Sequence, residues 1–185
     1  MADNVFTGKN GTLTLSANTG TPEGAHAGAV FTTYNPTNAT APVIARVTNV
    51  EVYVQTALEE FHEIGRRHAV SLHPGDIRIS GKLGRAYVNG QLLYLLLGKG
   101  ALAARQNEPY VQPVFQLKLD LNDPATAAAS SGGTTPPAQC ELVVDGVKLE
   151  NWVQAIPEEG FVMENVTFKG LTISINDAGL TPTFT

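Results

Sequence analysis

Apolar and polar residues alternate along most of the chain between Arg46 and Val88. Val50, Val52 and Val54 alternate with Glu51, Tyr53 and Gln55, and further on Ile77, Ile79 and Leu83 stand against Arg78, Ser80 and Lys82. A period of two sends successive side chains to opposite faces, so both stretches are predicted as strands with one face to bury and one for water or a partner. Between them runs an ionic segment, from the acidic Glu59, Glu60 and Glu63 to the basic Arg66 and Arg67. Two long strands around such a segment suit a chain that joins copies of itself.

The alternation also slips in informative places. Val43, Ala45 and Val47 share one parity and Val50, Val52 and Val54 the other, which predicts a β-bulge near Thr48 and Asn49. Near the C-terminus Val162, Val166 and Phe168 fall on even positions and Leu171, Ile173 and Ile175 on odd ones, so the last strand, Phe161 to Asn176, is broken or bulged at Gly170. Bent strands of this kind serve curved or closed sheets. Further strands are expected at Thr12–Ser16 and within Val111–Leu121, where Phe115, Leu117, Leu119 and Leu121 alternate with Gln116, Lys118 and Asp120. Glu141–Asp145 and Val147–Trp152 read as two strands around Asp145-Gly146, a dipeptide suited to a tight hairpin. Asn89 and Gly98 frame a leucine-rich run as N-cap and C-terminal glycine of a helix of about two turns; a buried strand is the alternative.

Two stretches resist periodic reading. Asn18 to Pro42 is polar with dispersed Gly and Pro, and is expected to be a long loop, either an ordinary insertion or an arm that orders against a neighbouring subunit. Residues 125–138, ATAAASSGGTTPPA, are expected to form a flexible surface loop. The sum is a single domain over 1–185, mainly β, an antiparallel sandwich or barrel of six to eight strands with one short α-helix.

Composition narrows the function. At 185 residues the chain can bury one core, and its 16% of charged residues is low for a soluble monomer, which hints at surface buried between subunits. A net charge of -5 argues against gripping nucleic acid by its phosphates. Cys140 is the single cysteine, so no intrachain disulfide is possible. The first residues lack the basic start and apolar run of a signal peptide, and the chain is expected to fold in the cytoplasm.

Catalytic patterns fail. His62-Glu63 opens like a zinc-protease helix motif, but Arg66 stands where the second histidine belongs, and His68 follows two arginines whose charge opposes a cation. His73 and Asp76 complete no ligand set. Gly8-Lys9, Gly81-Lys82 and Gly98-Lys99 lack the Ser or Thr and the spacing of a phosphate loop, and no Gly-x-Ser-x-Gly elbow occurs. No enzyme, metal or cofactor is expected. The run from Glu59 to Arg67 is open to two readings, a solvated surface or a contact in which the acidic end of one subunit meets the basic end of the next.

Several stretches together carry a family likeness. Arg46–Thr56 leading into Glu60-Phe-His-Glu-Ile-Gly65, the strand through Ser80-Gly-Lys82 and Arg85-Ala-Tyr-Val88 into the leucine-rich helix, and Phe161–Lys169 near the end resemble the tail tube proteins of tailed bacteriophages. The likeness spans roughly Val43 to Asn176 and leaves the first 42 residues outside it. It implies a β-sandwich subunit that closes into a hexameric ring, its sheets joined into one barrel around a channel. Rings would stack into the tube that delivers the genome, within a virion tail assembled in the host cytoplasm. Expected partners are other copies and other tail proteins, such as baseplate or tip, tape measure, terminator and possibly sheath. DNA would pass without specific binding along a net negative lining. Under this reading Glu51, Gln55, Asp120 and Glu164 are expected to face the channel, and Glu59, Glu60, Glu63, Arg66 and Arg67 to lie between subunits. A monomeric or small-oligomer β-sandwich binding or decoration module is the alternative.

Overall fold

The alternating stretches form strands in a computed structural model that describes residues 11–18, 20–35, 47–87, 89–105, 111–121 and 140–177. In chain order these are β1 (Gly11–Ala17), α1 (Pro22–Tyr34), β2 (Val47–Phe61), β3 (Ser71–Ala86), α2 (Gln91–Leu97), β4 (Phe115–Leu121), β5 (Cys140–Ala155), β6 (Met163–Gly170) and β7 (Thr172–Asp177). The strands make one antiparallel sheet in the order β1-β4-β5-β6-β3-β2, with β7 also on β5. The expected loop at 125–138 and the slip's first residues, Val43 and Ala45, lie outside the described residues.

Register turns the alternation into rows that cross four strands. Val50, Leu83, Val166 and Trp152 form one row on the core side, and Val52, Gly81, Phe168 and Leu149 the next. Gly81 is a glycine for a local reason. A methyl group there would collide with the Phe168 ring and the Glu51 carbonyl oxygen, so the bulk of that row is supplied by phenylalanine instead. The register between β2 and β3 shifts between Val47 and Asn49, at the bulge the slip in alternation predicts, and again between Thr56 and Leu58. At Gly170 the last strand is broken: β6 ends there, Leu171 intervenes, and β7 turns to the first half of β5.

Asp145-Gly146 is not a hairpin. β5 runs unbroken through it for 16 residues, and Gly146, at φ 65°, makes a bulge at which β5 leaves β4 and β7 for β6. The left-handed conformation that allows a tight turn at Asp-Gly also serves a bulge. Asp145 accepts from the Gly146 amide at 2.8 Å, and the Leu171 amide donates to the Asp145 carbonyl at 2.9 Å. The sheet therefore has two halves that share β5 and curl about this point.

Helices fill the curl. α2 is the expected short helix, with Gly98 following its last residue, but its N-cap is Gly90 and not Asn89, whose side chain one residue earlier accepts from the Gln91 amide at 3.2 Å. α1 occupies much of the segment read as a loop. Thr21 caps it by accepting from Gly24 N at 3.1 Å, Pro22 opens its first turn, and Ala27 and Phe31, one helical turn apart, are fully buried. The Phe31 ring meets Phe115 edge-on, with centroids 6.4 Å apart. So Ala27 and Phe31 anchor residues 22–34 in their own subunit's core. That core gathers Leu13 and Leu15 of β1, Leu92 and Leu95 of α2, Leu117 of β4, Val144 and Val147 of β5 and Val166 of β6.

One polar network lies inside it. Glu164 of β6 is fully enclosed, its carboxylate accepting from Arg85 Nε of β3 and, at 2.9 Å, from Trp152 Nε1 of β5. Arg85 in turn donates to the Asn89 carbonyl at 3.0 Å and its side-chain oxygen at 3.3 Å. Three strands and the start of α2 are thereby tied to one buried charge pair.

Removing one member of such a pair strands the other. Glu164→Gln is expected to destabilise the chain by about 3–5 kcal/mol in urea denaturation, and the apolar pair Arg85→Met with Glu164→Leu to recover most of that loss. Gly81→Ala should cost about 1–3 kcal/mol from overpacking against Phe168; an unchanged midpoint would show that the row has slack.

Candidate assembly surface

The face of the second half-sheet opposite the core repeats the row pattern with polar residues. Glu51, Lys82, Thr167 and Asn151 make one row, Tyr53, Ser80, Lys169 and Lys148 the next, and Gln55 pairs with Arg78 beyond them. Lys169 binds Glu150 at 2.6 Å. The Tyr53 hydroxyl donates to the Glu51 carboxylate, which pushes the phenol above its ordinary pKa. Carboxylates on this face, Glu51, Glu59 and Glu150, are interleaved with Arg78, Lys82, Lys148 and Lys169. The face is therefore mixed in charge.

The four residues expected to share a channel-facing surface are divided. Glu51 and Gln55 stand together, exposed, on the polar face of β2. Asp120 sits on β4 in the other half-sheet, in register with Thr12 and Glu141 and 3.4 Å from Lys118, which also reaches Glu141 at 3.2 Å. Burial lowers the Lys118 pKa, but the Glu141 and Asp120 carboxylates outweigh it and leave the ammonium above its ordinary value. Glu164 belongs to the buried network, and a fully enclosed carboxylate cannot line a channel. Its position corrects the expectation: Glu164 alternates in step with the buried Val166 and Phe168, and its partner Arg85 in step with Leu83, so the unbroken register of β6 on β3 puts both on the core side, in the row of Val47 and Gln154.

Beyond the Ile79–Gly170 pairing, β2 and β3 continue alone as a two-stranded ribbon. Its polar side carries Gln55, Glu59, Arg78 and His73. Its other side continues the core face with Ile77, Leu58, Pro74 and Leu72, together with Thr56 and Glu60, and among the described residues nothing covers it: Leu58 is 60% exposed and Ile77 65%. Glu59, Glu60, Glu63, Arg66 and Arg67 are brought together at the tip, Glu59 and Glu60 still within β2 and the others on the turn, all exposed. Glu60 contacts His62 at 3.2 Å and Glu63 contacts Arg66 at 3.3 Å. The histidines spread along the ribbon, and among the described residues no three His, Cys, Asp or Glu side chains group as metal ligands.

The second half-sheet is open at both sides. β2 is last in the strand order, so among the described residues its outer edge has no partner strand. β5 beyond Val147 pairs with β6 on one side only. Sequence reasoning identified the ionic tip but missed the bare apolar side of the ribbon. It follows from strand lengths that only the structure gives, β2 and β3 each being about twice as long as β6.

No protein-family model matches the chain, and no curated protein matches it in sequence. Solved structures do match in shape along nearly its whole length. A chain of the anti-feeding prophage baseplate, from a 6-fold symmetrised cryo-EM structure, superposes with a TM-score of 0.58 at 10% identity, covering 97% of this chain and 100% of that one. A chain of the sheath-tube complex of the PVC extracellular contractile injection system gives 0.57 at 8% identity, covering 96% and 95%. The SPP1 tail tube gives 0.55 at 12% identity, covering 94% and 80%. With its curled antiparallel sheet and two helices, the chain has the fold of tail tube proteins.

Proposed function

We propose that this chain is the structural subunit of a tail tube: six copies close into a ring, rings stack, and the channel delivers the genome of a phage-like particle. The observation that carries this reading is the half-sheet β5-β6-β3-β2, amphipathic and open at both edges. Unpaired edges template further strands, and ring closure removes them by joining β2 of one copy to β5 of the next. Continuation of the barrel keeps the polar rows on one side, where Glu51 and Gln55 would face the channel. A duplex passing such a surface meets basic residues interleaved with carboxylates, Lys169 already paired with Glu150, so adhesion is weaker than on a uniformly basic face. The ribbon with its ionic tip would reach neighbouring subunits. The tube would work with other tail proteins, such as baseplate or tip, tape measure, terminator and possibly sheath, within the particle's tail. A monomeric binding or decoration module would leave both edges and the ribbon's apolar side bare.

Negative-stain microscopy of the purified full chain is expected to show rings or tubes of one diameter with a central hole; a monodisperse monomer at high concentration would sink the proposal. Leu58→Asp should abolish assembly while shifting subunit stability by no more than about 0.5 kcal/mol, since the side chain is exposed. Adding cations with Glu51→Lys and Gln55→Lys should make assembled tubes retain duplex DNA in a salt-dependent way, the logarithmic salt slope steepening by roughly 0.9 per new phosphate contact. Retention that stays at the wild-type level would move these residues off the channel wall.

A further inference from the structure

Residues 111–114 lie where β4 would continue along the open side of β5, and they turn away from it. Pro113 has no N–H to give, and the Val114 amide donates to the Glu23 carbonyl of α1 at 3.2 Å. Only the side chain of Gln112 returns to the strand, where its amide donates to the Leu149 carbonyl. The next residue, Glu150, is the one that the register shift against β6 leaves over. At the far end Pro157, again without an N–H, comes soon after the last pair, Ala155 with Met163. The backbone that β5 leaves free on this side is therefore short, from Asn151 to Ala155. The polar face adds a second observation. Among the described residues, Tyr53 and Val153 are the exposed large apolar side chains of its rows, at 43% and 50%, and they stand on the two edge strands, β2 and β5. On the core side of β2, Val54 is also half exposed.

We propose that Gln112 guards the edge of β5 and so sets the register of the seam between copies: β2 of one copy is confined to Asn151–Ala155 of the next, with Tyr53 opposite Val153. This rests on the tail tube reading and adds a register to it. The four strands of the half-sheet alternate in direction, so rotation about a channel brings β2 antiparallel to the next copy's β5. Core side must meet core side, which allows Val153 to stand opposite Asn49, Glu51, Tyr53 or Gln55 only. Within one copy the row of Val153 runs through Asn165 and Gly84 to Asn49. A seam at Asn49 would leave the strands untilted, and one at Glu51 would tilt them by about 19°, short of the roughly 35–45° of closed barrels. At Tyr53 the offset is four residues across four strands, a tilt of about 35°. At Gln55 the apolar pair would be parted, and the start of the ribbon would slide along the edge that Gln112 closes. With Tyr53 opposite Val153 an aromatic ring meets a β-branched side chain, and the bare Val54 is covered by the next copy's Trp152.

Cysteine pairs in the full-length protein, each in a Cys140→Ser background, read the register directly. On oxidation of assembled rings, Tyr53→Cys with Val153→Cys is expected to give a ladder of linked chains that ends at the ring size, with about tenfold less from Glu51→Cys or Gln55→Cys with Val153→Cys. Adding Gln112→Ala should raise the Gln55 and Val153 product to the level of the Tyr53 and Val153 product, because the freed Leu149 carbonyl then rewards a slide toward the ribbon. Gln112→Glu keeps the size of the side chain but removes its donor, and should act as the alanine does; a role in packing alone would leave the glutamate variant in the wild-type register. Rings in which a shifted pair links as well as the Tyr53 pair, or in which no pair links, would overturn the register. An unchanged distribution in both Gln112 variants would overturn the guard. Either result would leave the tube reading intact, whereas a wild-type chain that forms neither rings nor tubes would overturn that reading and the seam with it.

Discussion

The buried pair of Arg85 and Glu164 is the constraint on which the rest of the molecule depends. Two charges out of water are costly unless every hydrogen-bonding position is met, and here each one recruits a different element. Trp152 brings β5, Asn89 brings the start of α2, and the pair itself joins β3 to β6. Apolar rows alone would tolerate a slip of two residues, because valine and leucine packing is not directional. A carboxylate that must meet one guanidinium and one indole N–H is not so forgiving. The pair fixes the register of β3 against β6 at the end of the half-sheet opposite the ribbon, and the unbroken pairing of these two strands carries that register to the ribbon's base.

Much of this was legible from periodicity because strands write their faces directly into sequence. The slip at Thr48 and Asn49, the break at Gly170 and the stop of α2 at Gly98 each followed from a local rule, and the coordinates agree with them. What was missed depended on partners distant in the chain. Asp145-Gly146 specifies a positive φ but not whether the flanking segments pair with each other or with β4, β6 and β7. α1 contains two glycines and a run of small residues, so its helical signal was confined to Thr21-Pro22 and the spacing of Ala27 and Phe31. Glu164 looked like one more polar residue on an outer face. Its even position, shared with Val166 and Phe168, already pointed to the core side; what the sequence did not show was the partner, Arg85, that makes a buried carboxylate tolerable there.

The candidate surface divides along the same line. Its ionic tip was visible as a cluster in sequence, whereas its bare apolar side was not, since Leu58 and Ile77 are indistinguishable by type from the leucines and isoleucines of the core. Only the length mismatch between β2, β3 and β6 separates the two groups. The core face therefore continues, in the same register, from rows covered by helices to rows covered by nothing, and the low share of charged residues is accounted for by that second group.

The bulge at Gly146 has a mechanical consequence. Because β5 belongs to both halves of the sheet, a pull that separates them is carried by the covalent backbone of one strand, not by a seam of side chains that could slide. Leu171 sits over Gly146 so closely that any side chain there would collide with it, so the join between the halves is held at one backbone geometry.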